Sequence, residues 1–428
     1  MQKRILIGIT ILNLLLSISL NLYSQEKVSL LQCYKEAMEN YPLQKQNPLL
    51  KKASALKNEN LSIGWMPKID ANAQATYQSD VTAFDISLPF PGINLPQKIS
   101  KDQYKASLDI SQALYDGGLI SGQKSLETQT LNSDLQEVKV ELNKLKTQIN
   151  QFYFSILLTK ESEKILILKF EELNEKIKVI ESAVANGAML ESSLDILKSE
   201  ILKLEQQLFD IKSTRISLLK SLSMLIGRQL DDNAALETPD IKFEGKDVIN
   251  REEYLYFDML KFKLDAASKL AAIQNNPKIF AFGQAGYGRP ALNMLLNSFQ
   301  GYYIVGAKFN WNLWDWNKAF KDEQIIEIQK KIVETTREVF DKNLAIALEN
   351  ELSNIEKFGN AIEKDSQIIT LMEKITKSSY SQLINGAITA TDYLTEFNNE
   401  TISKLNYETH KIQLLQSKTN YLTLKGNL

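Results

Sequence analysis

The sequence predicts a mostly helical fold that also carries four alternating β-strands, built as two tandem repeats. Leu114–Asp116 (LYD) reappears as Leu313–Asp315 (LWD), and Asn186–Ala188 (NGA) reappears as Asn385–Ala387. Both pairs keep one offset of 199 positions, which indicates an internal duplication. Long heptad runs between these landmarks predict helical hairpins, and short runs of period two predict the strands.

Residues 1–24 have the form of a secretory signal peptide. A short basic start is followed by an apolar run from Ile5 to Leu22, and we expect cleavage after Ser24. The same run of 18 residues could just span a bilayer as an uncleaved anchor, which is the alternative interpretation. The sequence therefore predicts an exported chain.

Composition and single residues argue against nucleic-acid binding proteins and enzymes. The 50 basic and 52 acidic residues nearly cancel and form no basic stripe. Cys33 is the only cysteine, so no intramolecular disulfide can form, and we expect this thiol to pack in a helix. His410 is the only histidine, so catalysis and metal ligation by histidine lack their partners, and an exposed or interhelical role is expected. The sequence predicts no enzyme activity and no cofactor.

The first repeat is predicted over residues 25–227. From Lys68 onward, apolar and polar residues alternate with a period of two that a helix could not use. The same alternation returns after a proline-rich loop at 81–100. Strands are therefore predicted at about 67–79 and 102–115.

The second repeat is predicted over residues 251–428, with strands at about 277–288 and 301–314. Its first strand has the less certain phase, because Phe280 and Phe282 occupy the face that is polar in the first repeat. The predicted pattern is otherwise the same: one face apolar and one polar.

A helical hairpin follows each pair of strands, at about 118–227 and at about 317–424, and a linker at 228–250 separates the repeats. A single helix from about 119 to 185 would be on the order of 100 Å long, which suits a reach across an aqueous compartment. The Asn-Gly turns allow each chain segment to fold back on itself.

The heptads of the first hairpin are purer than those of the second. In the returning segment of the first hairpin, Arg215 is the single polar residue of the apolar stripe. The second carries Thr391, Asn398, Thr401 and Glu408 at corresponding places. We therefore expect the second hairpin to be packed less firmly.

Four strands of roughly ten to twelve residues have the length of membrane-spanning β-strands. Four strands cannot close a membrane barrel, since the smallest have about eight, and an open edge in lipid leaves backbone groups unpaired. Several chains must then share one barrel, with two giving eight strands and three giving twelve. An ordinary soluble sheet with one buried face is the alternative.

These features together resemble the TolC-like outer membrane efflux protein family over essentially the whole mature length. The resemblance rests on the duplication, the strand starts at Pro67 and Pro277, the turns LYDGG and LWDWN, and the hairpin turns NGAMLESSLDIL and NGAITATDYL. It implies a homotrimer with a shared twelve-stranded barrel in the outer membrane of a Gram-negative bacterium and a tunnel of helical hairpins in the periplasm. It further implies a periplasmic adaptor (membrane fusion) protein and an inner-membrane transporter as partners.

The resemblance also implies an acidic ring at the constricted end of the tunnel. Asp392 stands in the expected place after the second hairpin turn, whereas Thr395 replaces the second acidic residue of some relatives and Glu396 lies beside it. Asp392 and Glu396 are therefore the gate candidates, since three inward carboxylates select cations and repel one another. Alternatively, Asp392 caps the returning helix, and the two roles are compatible.

The two hairpin turns are implied to be the docking tips for the adaptor. Their residues are Asn186, Gly187, Ala188, Met189 and Leu190 in the first repeat, and Asn385, Gly386, Ala387, Ile388 and Thr389 in the second. Turn chemistry alone also explains the glycines, because glycine readily adopts a positive φ.

The sequence thus predicts a passive outer membrane export channel of a tripartite efflux or type I secretion system. The alternative is an exported periplasmic coiled-coil scaffold or adaptor protein without a pore. An adaptor is expected to have one coiled-coil hairpin flanked by barrel-like domains, whereas this sequence carries two hairpins and two strand pairs. A solvated duct needs no specific pocket, so no exported substrate is predicted.

Overall fold

The computed structural model describes residues 27–82, 99–243 and 248–428. The predicted signal peptide and most of the proline-rich loop lie outside these residues, as does part of the predicted linker. The chain divides into two compact units, each of which draws on both predicted repeats. The hairpin unit comprises Met1–Lys45, Val138–Glu252 and Val339–Leu428, and the sheet unit comprises Gln46–Glu137 and Glu253–Glu338.

Helices account for most of the described chain. The helices are α1 (Leu30–Asn40), α2 (Gln46–Ile63), α3 (Leu119–Asn143), α4 (Leu145–Ala185), α5 (Glu191–Ile226), α6 (Glu252–Ile273), α7 (Lys318–Ile384) and α8 (Ala390–Lys425). A short 3₁₀ helix spans Pro42–Lys45, and the strands are β1 (Lys68–Tyr77), β2 (Asp102–Tyr115), β3 (Lys278–Arg289) and β4 (Gln300–Asn310).

The four strands form one antiparallel sheet in the order β1-β2-β3-β4, which confirms the predicted number of strands. β2 pairs with β3, so the two predicted repeats share one ladder. β4 ends at Asn310, short of the predicted limit at 314. Asn310 pairs with Lys278, and the preceding Pro277 has no N–H to donate, so the ladder stops there.

Most apolar side chains of the four strands lie on one face of the sheet. Ile69 is paired with Ile110, Ile110 with Gly283, and Gly283 with Val305. Directly paired residues point to the same side, so the separate alternations of the strands combine into one continuous apolar face. The register also places Phe282 opposite Ser111, on the polar face.

The hairpin unit has an apolar core to which four helices contribute. Its members come from α4, α5, α7 and α8: Leu166, Leu173, Ile177, Ile180, Leu194, Leu197, Leu204, Leu383, Ala390, Tyr393, Leu394 and Phe397. The two helical hairpins therefore pack on each other near their turns.

The second hairpin is packed less closely than the first, as expected: the backbones of α4 and α5 approach each other along the first hairpin, whereas those of α7 and α8 hardly do. Thr391 is exposed, and the packing stripe of α8 instead uses Ala390, Tyr393 and Phe397, each at most 1% exposed. Near the turn the buried stripe therefore runs beside the predicted one, whereas further along α8 the predicted position Thr401 is buried. Asn398 is half-buried at the edge of this stripe.

The predicted helix from about 119 to 185 is interrupted at Lys144, whereas α7 runs without interruption for 67 residues. The N–H of Lys144 donates to the Glu141 carbonyl at 3.3 Å, and the N–H of Thr147 donates to the Lys144 carbonyl at 3.2 Å. These bonds span three residues, the spacing of a 3₁₀ turn, and so tighten the helix at this point.

A buried polar network attaches α1 to α4 and α8. The hydroxyl of Tyr34 donates to Asn150 Oδ1, and Asn150 Nδ2 lies 3.0 Å from Asn420 Oδ1 and 3.1 Å from Thr423 Oγ1. Cys33 is fully buried beside this network, as predicted for a packed thiol, and burial raises its pKa to about 12. Each amide group is satisfied by partners on another helix, which fixes the N-terminal helix in place.

Candidate functional site

The two hairpin turns have the same backbone geometry. Gly187 has a φ of 73°, and the Ala188 N–H donates to the Ala183 carbonyl at 2.8 Å. In the second turn Gly386 has a φ of 71°, and the Ala387 N–H makes the equivalent bond, five residues back, at 2.9 Å. A Cβ at either glycine would meet no atom within 4 Å, so the backbone conformation and not a lack of space requires glycine.

The turn residues differ in how much they are available to a partner. The Asn-Gly-Ala segments are exposed in both turns, and Leu190 is 73% exposed. Met189 and Ile388 are half-buried because they pack against the hairpin core. Of the apolar tip residues, Leu190 is therefore the one that remains free of intramolecular packing.

Asp392 caps helix α8 together with Thr389. The Thr389 hydroxyl accepts from the Asp392 N–H at 3.2 Å, and Asp392 Oδ2 accepts from the Thr389 N–H at 2.9 Å, which completes a capping box. The hydrogen bonds from Thr389 lower the pKa of the exposed Asp392 carboxyl. The capping role expected from the sequence is thus present, and the carboxylate remains open to solvent.

Glu396 lies one helical turn after Asp392. The side chain is half-buried, and its backbone carbonyl accepts from the Thr376 hydroxyl on α7 at 3.2 Å. Residues four apart lie on one face of a helix, so the two gate candidates are neighbours on the surface of α8.

A buried ion network connects α4 and α8 beneath the turns. The Lys169 side chain is only 3% exposed, and its Nζ contacts Glu400 at 2.5 Å and Glu172 at 2.9 Å. Lys404 also contacts Glu400, at 2.8 Å. Burial opposes the charge on Glu400, but the hydrogen bonds from Lys169 and Lys404 outweigh it and lower the pKa of this carboxyl.

Aromatic rings surround these charges. Lys169 Nζ lies 4.7 Å from the ring centroid of Phe397, and Lys176 Nζ lies 4.9 Å from that of Tyr380 and 5.5 Å from that of Tyr393. The Tyr393 hydroxyl is buried and has no hydrogen-bond partner among the described residues. The burial of this hydroxyl raises its pKa.

Sequence reasoning missed this network, although a signal for it was present. Lys169 stands three residues after Leu166 and four before Leu173, which is the spacing of the apolar stripe. A lysine at such a position predicts a buried partner, but only the packing of α8 against α4 identifies Glu400. Arg215, the single polar residue of the predicted apolar stripe in α5, is paired with Glu163 of α4 at 3.2 Å.

A polar cavity of about 500 Å³ lies between α5 and α8, close to the second turn. Its lining includes Asp195, Lys203 and Thr391, and it also includes Glu200, which accepts from Asn398 Nδ2 at 3.0 Å. The cavity offers both charges to a partner that approaches the turns.

The sheet unit begins its helices with aspartates at the repeated turns. Asp116 Oδ1 accepts from the Gly118 N–H at 2.9 Å, and Asp315 Oδ2 accepts from the Ala319 N–H at 2.9 Å. Gly117 and Gly118 have positive φ, and their counterparts Trp316 and Asn317 have φ of 57° and 60°. The turn of the second predicted repeat therefore has the same conformation without glycine.

The apolar face of the sheet is exposed. Among its residues, Ile69 is 65% exposed, Tyr77 79%, Tyr303 77% and Val305 75%. These side chains are therefore largely uncovered by the rest of the described chain. In the described part of the chain, no cluster of potential metal ligands is found, and no helix combines the length and apolarity needed to span a bilayer.

His410 fills an interhelical position, one of the two roles expected for it. Its Nδ1 lies 2.6 Å from Asp365 Oδ2 on α7, and its ring stacks on Phe358 with centroids 5.9 Å apart.

Comparison with known proteins identifies the fold. No family model matches the sequence, and no curated protein sequence matches it. The outer membrane protein VceC from Vibrio cholerae superimposes with a TM-score of 0.65 at 14% identity, covering 93% of this chain and 96% of VceC. CusC gives a TM-score of 0.67 at 12% identity, with coverage of 92% and 91%. The MtrE outer membrane channel of Neisseria gonorrhoeae, in its open state, gives 0.65 at 14% identity, with coverage of 93% and 88%.

This chain has the TolC-like fold. The similarity extends over both hairpins and the sheet, since more than nine-tenths of the chain is covered in each comparison. At this level of identity the TolC-like fold is carried by alternation, heptads and turn geometry. The individual residues at the turns and at Asp392 have to be judged on their own contacts.

Proposed function

We propose that this protein is a TolC-like outer membrane channel, a passive export duct of a tripartite efflux or type I secretion system. Three copies would share a twelve-stranded barrel in the outer membrane of a Gram-negative bacterium, and their helical hairpins would enclose a tunnel in the periplasm. Energy would come from an inner-membrane transporter that is linked through a periplasmic adaptor.

The observation that carries this proposal is the exposed apolar face of the sheet. The face is continuous over four strands of 10 to 14 residues, long enough to cross the hydrocarbon region of a bilayer. A large apolar surface exposed to water would favour aggregation, whereas the outward face of a membrane barrel is apolar because it contacts lipid.

The two edge strands support sharing of the barrel between copies. β1 and β4 each pair on one side only within the described chain. Unpaired backbone groups are not tolerated in hydrocarbon, so β4 of one copy must meet β1 of another. Three copies of a four-stranded sheet give the twelve strands that the family resemblance implies.

The hairpin turns are the proposed contact with the adaptor, and Asp392 with Glu396 is the proposed gate. Exposed Asn-Gly-Ala segments, the free Leu190 side chain and the mixed charges of the cavity between α5 and α8 support docking at this end. The solvent-exposed carboxylate of Asp392 supports a ring of charge when three copies assemble.

Fractionation and bilayer recording test the proposal together. The protein is expected in outer membrane fractions, and the purified protein is expected to produce discrete conductance steps in a planar bilayer. Asp392→Ala should raise the conductance if the carboxylates constrict the pore. Periplasmic fractionation with no conductance from either form would instead support the scaffold or adaptor interpretation.

A further inference from the structure

The face of the sheet opposite the apolar face differs between its two strand pairs. On β1 and β2 this face carries only charged and small polar side chains up to Ser111, as the paired residues Asn72 and Ser107 illustrate. On β3 and β4 the same face carries an apolar strip consisting of Phe280, Phe282, Tyr302 and Ile304. Phe282 is 38% exposed and Ile304 is 37% exposed, so solvent reaches the strip.

Two rings of the apolar strip lie flat against the sheet because glycines face them. Tyr302 is paired with Gly286, and a Cβ at Gly286 would collide with the Tyr302 ring. Phe282 is paired with Gly306, and a Cβ there would come within 2.9 Å of the Phe282 ring. Aromatic side chains that cover cross-strand glycines form a fixed apolar floor.

Lysines lie at both ends of the apolar strip. Lys308 is paired with Phe280, and Lys278 stands beside them at the strand ends. At the other end, Lys105 is paired with Gly288, and its Nζ lies 5.3 Å from the Tyr302 ring centroid. Within the described residues, none of these three lysines makes an ion pair.

The carboxylates of the same face are already engaged. Asp70 pairs with Lys68 at 3.0 Å, and Asp109 accepts from Asn72, Gln284 and Ser107. The polar face carries four lysines against two aspartates, an excess of two positive charges. The strip thus combines a flat apolar surface with uncompensated ammonium groups.

We infer that the apolar strip is a binding surface for amphiphilic organic anions, with a flat apolar body over the rings and an acidic group at the lysines. Under the proposed function, on which this inference rests, the polar face lines the barrel, and three strips would be repeated around the lumen. Cationic side chains in a pore select anions, and aromatic rings retain apolar solutes. Solutes of this class are therefore the ones that the barrel slows and concentrates.

Channel block by 1-naphthoate tests the inference. The compound is added on the barrel side of wild-type channels in a planar bilayer, with acetate and 1-naphthylmethylammonium as comparisons. We expect block by naphthoate only. Lys308→Gln should raise the half-blocking concentration about five-fold, the scale of one exposed charge pair. Phe282→Ser should raise it about ten-fold through loss of the ring contact.

Lys321→Gln is the matched control, because Lys321 is an exposed lysine of α7, outside the sheet, that makes no ion pair within the described residues. Its half-blocking concentration should equal that of the wild type. Equal block by the naphthyl cation, or unchanged block in Lys308→Gln and Phe282→Ser, would overturn the inference. Equilibrium dialysis of naphthoate against the protein in lipid nanodiscs separates the two proposals. Binding that is lost in Lys308→Gln without any conductance would refute the channel and leave the binding surface.

Discussion

Asp392 caps helix α8 and is also the proposed gate residue. Its carboxylate accepts the Thr389 hydrogen bonds that start α8, and it remains exposed to solvent. The amide of asparagine retains capping ability but carries no charge, so substitutions can separate the two roles.

Asp392→Asn and Asp392→Ala should therefore differ in the amide protection of α8, because asparagine can still accept the Thr389 N–H. If the charge closes the pore, both variants should raise the conductance. If Asp392 acts only as a cap, Asp392→Asn should conduct like the wild type, and only Asp392→Ala should lose amide protection in the first turn of α8. Planar bilayer recording and hydrogen exchange make the two measurements.

The same residue predicts a dependence on pH. Because the Thr389 hydrogen bonds lower the pKa of Asp392 in the folded protein, the unfolded chain binds the proton more readily. The capping contribution should be complete above the unfolded carboxyl pKa of about 3.9 and should be lost as the pH falls through the lower folded value. Hydrogen exchange should show that the amides at the N-terminus of α8 lose protection over this pH range in the wild type. In Asp392→Asn, which has no carboxyl group at this position, their protection should not change over the same range.

The buried ion network makes a prediction about stability. Lys169→Met should leave Glu400 buried with only Lys404 as a cationic partner, and should lower the free energy of unfolding by about 3 kcal/mol. The double variant Lys169→Met/Glu400→Leu should recover most of this loss, because no buried charge remains. Urea unfolding followed by circular dichroism provides the comparison, and a double variant no more stable than Lys169→Met would contradict it.

At the scale of elements, the two strand-to-helix turns adopt the same conformation with different residues. The first repeat uses Gly117 and Gly118 at positive φ, whereas the second holds Trp316 and Asn317 in the same conformation. Asparagine tolerates this region, but tryptophan at a positive φ costs about 1 to 2 kcal/mol. Trp316 is 79% exposed and packs edge-on against Trp314. Under the proposed function, its ring would belong to an aromatic belt at the membrane interface.

Trp316→Gly should thus stabilise the isolated turn and weaken membrane anchoring. We expect a gain of about 1 kcal/mol in unfolding free energy in detergent, together with less efficient recovery in outer membrane fractions. Gly118→Ala is the opposite control, since its Cβ would meet only ordinary contacts and its φ of 90° disfavours alanine. If Trp316→Gly loses stability instead, the ring contributes more than the backbone strain removes.

At the scale of the whole molecule, β1 and β4 each pair on one side only within the described chain, so we expect β4 of one copy to meet β1 of another. Cysteines introduced singly into β1 at Ala71, Ala73 or Ala75 and combined with Val305→Cys in β4, in a Cys33→Ser background, should be joined by a bismaleimide between copies. Cross-linking in detergent should give a ladder that stops at three. A ladder that ends at two would require an eight-stranded barrel and would contradict the trimer.

The sequence by itself determined the local features of this protein, because they depend on the spacing of residues that are close together in the chain. A period of two gave four strands, heptads gave the hairpins, and the NGA turns needed the positive φ that glycine supplies. Asp392 could be predicted as a cap for the same reason, since its hydrogen bonds reach only three residues along the chain.

Only the tertiary structure decided what distant segments do to one another. The pairing of β2 with β3 and of β3 with β4 sets which residues share a face. It places Phe280 and Phe282, whose phase was uncertain in the sequence, in the apolar strip with lysines at its ends. Packing of α8 on α4 chose the stripe of Tyr393 and Phe397 and matched Lys169 to Glu400. Such contacts join residues far apart in the chain. Which residues pair depends on the free energy gained when whole faces are buried, and this cannot be read from the spacing of neighbouring residues.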